Sequence, residues 1–426
     1  MKKKILKFNP LNLFIGFTIL ASSLRSLVPL ILNDSSFAYP SIQMSFFLGI
    51  LLSCFSLIKL LNIKKSGKYS FIVFLMLFNL LLNILWHIPY IVTFDYNEII
   101  MIIYTGFFPL SFLLMLRLNE KTLLKILAII LVVVSISILS ESYELNTGNK
   151  DAGYENARAR QLILRPDTKE YFGRTGNFLR TGGLLGIRPH DSGSLLAILG
   201  ILFGGLAIRK RKILSVEVVL TLLSFIALML SQSGSNIAAF FVGMIFLVIY
   251  YRTILWNYKL ILFVFIVFCF FISFILTSNS ATEQISQIFE KLFMRFSPEH
   301  GDWSGMLRIG FTNMYIDISS FLFGFCTLIG CNIASVTEIG FIGTLVEYGF
   351  LYFSLFMVLL SYPLLVFLKQ VNPNKMAIPY VAAVLVGFIS LWHYGTVLRT
   401  TNIFVYFSIY SMSLKILFSP VQKYSK

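Results

Sequence analysis

The sequence predicts an all-α fold: a polytopic transmembrane bundle of about twelve helical spans with two long extracytoplasmic loops, the later one partly helical. Three observations predict it. The 426 residues are 57% hydrophobic and only 13% charged, too few charges for the surface of a soluble chain of this length. Apolar windows of about 20 residues, the length that a bilayer core of about 30 Å demands, recur along the chain. The basic residues of the short connections fall in every second connection, as the positive-inside rule requires of a membrane protein.

The windows fall near 11–32, 41–61, 69–92, 98–116, 121–140, 191–208, 213–232, 235–251, 259–277, 339–368, 376–394 and 401–418. The N-terminal MKKKILKFNPLNLFIGF resembles a signal peptide, but its apolar run continues past Arg25 to Leu32, so it reads as a first span. Lys2, Lys3, Lys4 and Lys7, then Lys64, Lys65 and Lys68, then Arg117 and Lys121, Arg209 to Lys212, Lys369 and Lys375, and Lys423 and Lys426 mark one side. That side is expected to be cytoplasmic, with both termini there, in a multi-pass protein of the cytoplasmic (inner) membrane. The intervening turns NDSSFAYP, TFDYN and SQSGS are nearly free of lysine and arginine and belong outside. The chain then divides into spans one to five (1–140), an arginine-rich extracytoplasmic loop (141–190), spans six to nine (191–277), a helical extracytoplasmic loop (278–337) and spans ten to twelve (338–426).

The net charge of +16 therefore reflects placement beside a membrane, and nucleic acid is not an expected partner. Cys54, Cys269, Cys326 and Cys331 have no metal-ligand spacing with the four histidines, so neither a metal site nor a cofactor is expected. Cys326 and Cys331 share a loop and read as free thiols. No Walker-type glycine loop, HExxH, GxSxG or internal repeat is present, which removes the common soluble chemistries.

Charge collects instead in the two long outside loops. The first holds six arginines and two lysines, although translocated segments beside spans usually avoid such charge. Its end, YFGRTGNFLRTGGLLGIRPHDSGSLLAILG, brings Arg174, Arg180 and Arg188 to the point where the chain enters an apolar span. Guanidinium groups grip phosphate bidentately, so this stretch suits an anionic ligand at a membrane surface; the plainer reading is contact with lipid headgroups. The second loop opens with a capping box, Ser280 to Glu283, and an amphipathic helix expected to lie flat on the membrane until Pro298. A second helical run from Trp303 to about Ile318 carries Arg308. Arg295, on the apolar face of the flat helix, reads first as a snorkelling residue. Arg25, Glu217, His87 and His393 read as interfacial or packing residues, whereas Glu347 within a span needs a partner or a proton.

Four segments in this order resemble the O-antigen polymerase (Wzy) and O-antigen ligase superfamily of membrane glycosyltransferases. They are RTGGLLGIRPHDSGSLLAILGIL, LMLSQSGSNIAAFFVGMIF, SGMLRIGFTNMYIDISSFLFGFC and SVTEIGFIGTLVEYGFLYFSLF, covering about Arg180 to Tyr352. Two departures stand out: Gly234 and Ser235 occupy the place of an arginine and a glycine, and Glu338 stands where the superfamily's ligases carry a histidine. The second favours a polymerase.

The resemblance implies a helical bundle that joins undecaprenyl-diphosphate-linked oligosaccharide repeats into a surface polysaccharide of O-antigen or capsule type, as in lipopolysaccharide or capsule biosynthesis, by metal-independent glycosyl transfer. Arg180, Arg188 and Arg308, with Arg174 and Arg295 behind them, would hold the diphosphate. Glu338 would be the base for the acceptor hydroxyl, with Asp191 as second choice and helix capping as Asp191's plainer role. The implied partners are the lipid-linked glycan, membrane lipid, a chain-length regulator and a flippase. Two alternatives stay open: a ligase, which differs only in acceptor, and a flippase or transporter of the same lipid-linked oligosaccharides.

Overall fold

A computed structural model describes residues 10–61, 67, 69–86, 99–100, 102–146, 155–157, 159–160, 163, 174–175, 178–179, 189–210, 215–231, 233–255, 340–371, 373–391 and 400–419. Apart from one short antiparallel strand pair, the regular structure among these residues is helical. In chain order the helices are α1 (Pro10–Ser23), α2 (Leu27–Leu32), α3 (Ala38–Leu61), α4 (Ser70–Trp86), α5 (Phe112–Met115) and α6 (Glu120–Asn146). Strands β1 (Arg174–Thr175) and β2 (Phe178–Leu179) follow, then α7 (Pro189–Lys210), α8 (Val216–Leu230), α9 (Gly234–Leu255), α10 (Gly340–Lys369), α11 (Ile378–Ser390) and α12 (Thr400–Leu417). Five stretches are long and apolar enough to cross a membrane: Ser35–Lys59, Glu120–Leu145, Asp191–Lys210, Gly234–Tyr251 and Gly349–Lys369. Such helices are compatible with a membrane protein, because a helix satisfies its own backbone groups where no water is at hand.

Every expected span except 259–277 meets helical backbone; that window and the helices expected within 278–337 lie outside the described residues. Two spans depart from a single straight helix. The first is split into α1 and α2, because Pro29 has no N–H to offer Arg25 and its ring crowds that carbonyl, so a new helix starts at Leu27. The window 98–116 is a π-helical turn at Ile103–Phe107, a 3-10 turn at Phe108–Ser111 and then α5. Pro109 is the local cause.

Prolines inside apolar helices leave carbonyls without a donor, and here neighbouring side chains supply it. The missing N–H of Pro109 would have met Thr105 O, which instead accepts from Asn79 Nδ2 at 2.8 Å. Pro363, inside α10, leaves Leu359 O, which accepts from Tyr410 Oη of α12 at 2.8 Å. Pro379 sits in the first turn of α11, where no helical N–H is required, and Lys375 O accepts from Ile378 N and also from Tyr251 Oη of α9 at 3.2 Å. An unmet carbonyl in an apolar interior costs about 1–3 kcal/mol, so Asn79 and Tyr410 each fix a neighbouring helix in place as well as repairing a break.

Helix α7 is the centre of the bundle. Its apolar window is buried throughout, and it packs against α6, α8, α9, α11 and α12. Small residues permit the approach: a Cβ at Gly205 would lie 2.9 Å from Pro379 Cα, closer than real contacts allow. Ser224 of α8 donates to Leu196 O of α7 at 2.7 Å, a polar tie between the two helices. Helix α10 is broken at Gly349, whose φ of 77° and ψ of 170° suit glycine alone. One turn later Tyr352 joins a buried network, with Asn83 Nδ2 donating to Tyr352 Oη at 2.7 Å and Thr105 Oγ1 donating to Asn83 Oδ1 at 2.8 Å.

The two ends of the bundle differ in chemistry. At one end Arg209, in the last turn of α7, donates to Glu120 Oε1 at 3.2 Å and to Met376 O at 3.3 Å, and Tyr380 Oη donates to the same Glu120 oxygen at 2.7 Å. Lys59 and Lys415 lie there too, donating to Leu113 O of α5 and to Leu118 O in the turn that precedes α6. Glu217, which the sequence places near an inner end, pairs with Lys210. The opposite end of α7 carries Asp191 and its polar neighbours.

Candidate functional site

Asp191 lies at the polar end of α7. The helix begins at Pro189, a residue pre-set for a first helical position, so Asp191 falls inside the first turn rather than at the N-cap. A carboxylate there offsets the positive end of the helix dipole. The residue is only 4% exposed, and Ser192 and Ser194 beside it are fully buried. Asn402, near the start of α12, donates from Nδ2 to Asp191 O at 3.0 Å and to Ser194 Oγ at 2.8 Å. Ser194 Oγ in turn donates to Asp191 O at 3.3 Å.

The start of α9 closes on the same place. Ser233 O accepts from Asn236 N at 3.0 Å and from Ile237 N at 2.9 Å, and Asn236 Nδ2 donates to Ser233 Oγ at 2.7 Å. A Cβ at Gly193 would lie 2.7 Å from Ser233 Cβ and 3.0 Å from Asn236 Nδ2, so only glycine at 193 lets the two helix starts touch. The start of α7 is thus met by the starts of α9, at Gly193, and of α12, at the Asp191 backbone carbonyl, beside a buried aspartate. The first turn of a helix carries the positive end of its dipole and favours negative charge near it.

The arginine-rich segment leads into this junction. Arg174 pairs with Leu179, and Thr175 with Phe178, in an antiparallel hairpin whose register leaves Gly176 and Asn177 between the strands, a pair favoured in two-residue turns. Strand β2 packs against α6, which itself packs against α7. Arg180 follows β2 by one residue and Arg188 directly precedes α7, but the side chains of Arg174, Arg180 and Arg188 lie outside the described residues. So do Arg295, Arg308, Glu338 and the side chain of Glu347, together with Cys326 and Cys331. Of the candidate base and diphosphate-binding residues named from sequence, Asp191 is therefore the one whose side-chain surroundings are described.

Three features of this region were not legible as sites in the sequence. Asn402 sits in a run, Thr-Thr-Asn, that reads as an ordinary helix start. Ser233 and Asn236 lie in the segment LMLSQSGSNIAAFFVGMIF, singled out for its lack of basic residues and for its resemblance to a superfamily turn, in which neither residue was given a role. The third is an ion-pair cluster: Arg160 Nη2 donates to Glu144 Oε2 at 2.7 Å and lies 3.8 Å from Glu141 Oε1, with Glu141 5% exposed. Its signal was present, since two glutamates three apart at the end of a span share a helix face. This cluster gives one arginine of the first long loop a structural occupation at the end of α6.

No family model matches the chain, and neither a curated protein nor a solved structure matches it.

Proposed function

We propose that this protein polymerises undecaprenyl-diphosphate-linked oligosaccharide repeats at the outer face of the cytoplasmic membrane. The observation that carries the reading is the meeting of three helix starts beside the buried Asp191, at the point where the arginine-rich segment enters the bundle. In this reading about twelve spans cross the membrane, the basic end is cytoplasmic and the Asp191 end faces outward.

The chemistry joins the anomeric carbon of one lipid-linked glycan to a sugar hydroxyl of another and releases undecaprenyl diphosphate. Charge grows on the departing diphosphate, and Arg180, Arg188 and Arg308 stabilise it, helped by the positive helix starts. Arg174 and Arg295 are the weaker members of that set. The acceptor hydroxyl gives up its proton to Glu338. Asp191, with so little exposure, suits a positioning role: it holds the start of α7 and the segment carrying Arg188 in register.

One observation favours the transport reading. The buried Asn83, Thr105 and Tyr352 network joins a π-helical turn to a helix broken at Gly349, and broken helices around polar groups are a feature of transporter sites. Lipid-linked glycans extracted from a deletion strain separate the possibilities. Loss of polymerase leaves single repeats capped onto the acceptor, loss of ligase leaves uncapped polymer, and loss of a flippase leaves single repeats facing the cytoplasm.

A further inference from the structure

We propose that the basic end of the bundle binds the phosphate of an anionic membrane lipid, between Lys59 of α3, Arg117 and Lys415 of α12. The three cations surround the turn that joins α5 to α6. Lys59 Nζ donates to Leu113 O at 3.4 Å and Lys415 Nζ to Leu118 O at 2.9 Å. Arg117 is exposed on the same turn and within electrostatic reach of Lys59. Capping the end of a helix explains one N–H of each lysine, since the last carbonyls of a helix need donors. It leaves two N–H groups on each ammonium and the whole guanidinium fork.

The half-buried Lys59 and the exposed Arg117 repel one another, and an anion between them relieves that repulsion. Among the described residues no carboxylate lies within ion-pair distance of Lys59, Arg117 or Lys415. Glu120, the acidic residue that follows the turn, lies within electrostatic reach of Lys415 but is hydrogen-bonded by Arg209 and Tyr380. Glu120 is thus shared between Arg209 and Lys415, which leaves Lys59 and Arg117 without a countercharge among the described residues; a phosphodiester supplies one negative charge with oxygens that only accept.

The surroundings select a lipid rather than a free ion. Tyr69, at the start of α4, packs edge-on against Phe418, just past the end of α12, with ring centroids 5.2 Å apart, and such rings sit at headgroup level. Ile58 and Phe55 of α3 are 55% and 48% exposed beside Lys59, an apolar track on which acyl chains can lie. The inference requires only that the chain sit in a bilayer and is independent of the glycosyl-transfer reading.

The test uses the full chain, purified in detergent and stripped of lipid, with bound lipid counted by native mass spectrometry. Phosphatidylglycerol is expected to stay bound under conditions that remove phosphatidylcholine, and inorganic phosphate at the same concentration is expected not to displace it. Combining Lys59→Gln with Arg117→Gln should weaken phosphatidylglycerol binding on the order of tenfold, given the usual attraction per basic residue. Glutamine at 59 can still donate to Leu113 O, and Arg117 is exposed, so the variant keeps its fold; Lys121→Gln with Lys125→Gln on α6 removes as much charge and should leave binding unchanged. Equal loss in both double variants would reduce the effect to diffuse charge and overturn the site. Displacement by inorganic phosphate would overturn the lipid assignment.

Discussion

Helices α3 and α7 are almost equally apolar, yet they live in different surroundings. In the span that contains most of α3, 28% of the apolar window is buried, and Phe47, Phe55 and Ile58 point outward; in α7 the window is buried completely. Hydropathy reports that both helices leave water, and it cannot report whether lipid or protein replaces it, because lipid tails are as apolar as leucine. What separates them is side-chain size and hydroxyl placement. Helix α7 carries Gly193 and Gly205 where other helices press against it, and Ser194 where a neighbour needs a partner. Helix α3 spends its outward positions on large rings.

The strongest way to break this contrast is to enlarge α7. Gly205→Leu drives a side chain into the backbone at Pro379, and overpacking of this kind costs about 1–3 kcal/mol or more, so the variant should lose most of its monodisperse fraction in detergent. A melting curve like the parent's would show that α7 can move away from α11. Next comes the proline repair. Tyr410→Phe deprives Leu359 O of its donor and should cost about 1–3 kcal/mol. The same change in a Pro363→Ala background should cost far less, because alanine restores the helical N–H; equal costs in the two backgrounds would dissociate Tyr410 from the proline. A smaller effect is expected for Asn402→Ala, about 0.6–2 kcal/mol, since it removes one interhelical tie. The smallest belongs to α3: Phe47→Ala, 58% exposed, should shift stability by no more than about 0.5 kcal/mol.

The same contrast explains how far the sequence could be read. Window length and apolar content place the helices, and the ends of α3, α7, α9 and α10 fall within four residues of the expected limits, whereas α6 runs six residues further, to Asn146, into the stretch expected to be loop. Arg209 was likewise placed at a span end, where it meets Glu120, whereas Lys59 and Lys415, inside the windows 41–61 and 401–418, were not singled out. The breaks at Leu24 to Ser26 and at Ile103–Phe107 were missed, although Pro29 and Pro109 announce them, since a hydropathy window averages over a single residue. The pairings Asn79 with Thr105 O, Tyr410 with Leu359 O and Asn402 with Asp191 O join positions far apart in sequence. One chain carries no record of such pairs. At the site, Asp191 was legible as a carboxylate at a span entry; its burial under two other helix starts was not.

The account rests most heavily on the polar end of α7 being a place where glycans are joined. Full-length protein reconstituted in nanodiscs with an undecaprenyl-diphosphate-linked repeat, in the presence of a chelator, should yield a ladder of multi-repeat products with one undecaprenyl diphosphate released per bond formed. Glu338→Gln should slow that ladder by about a hundred- to ten-thousand-fold if it is the base, and Arg188→Lys, which keeps the charge but loses the fork, should slow it strongly with the protein still inserted. Single repeats that persist without any ladder, from protein shown to be folded, would contradict the polymerase reading outright.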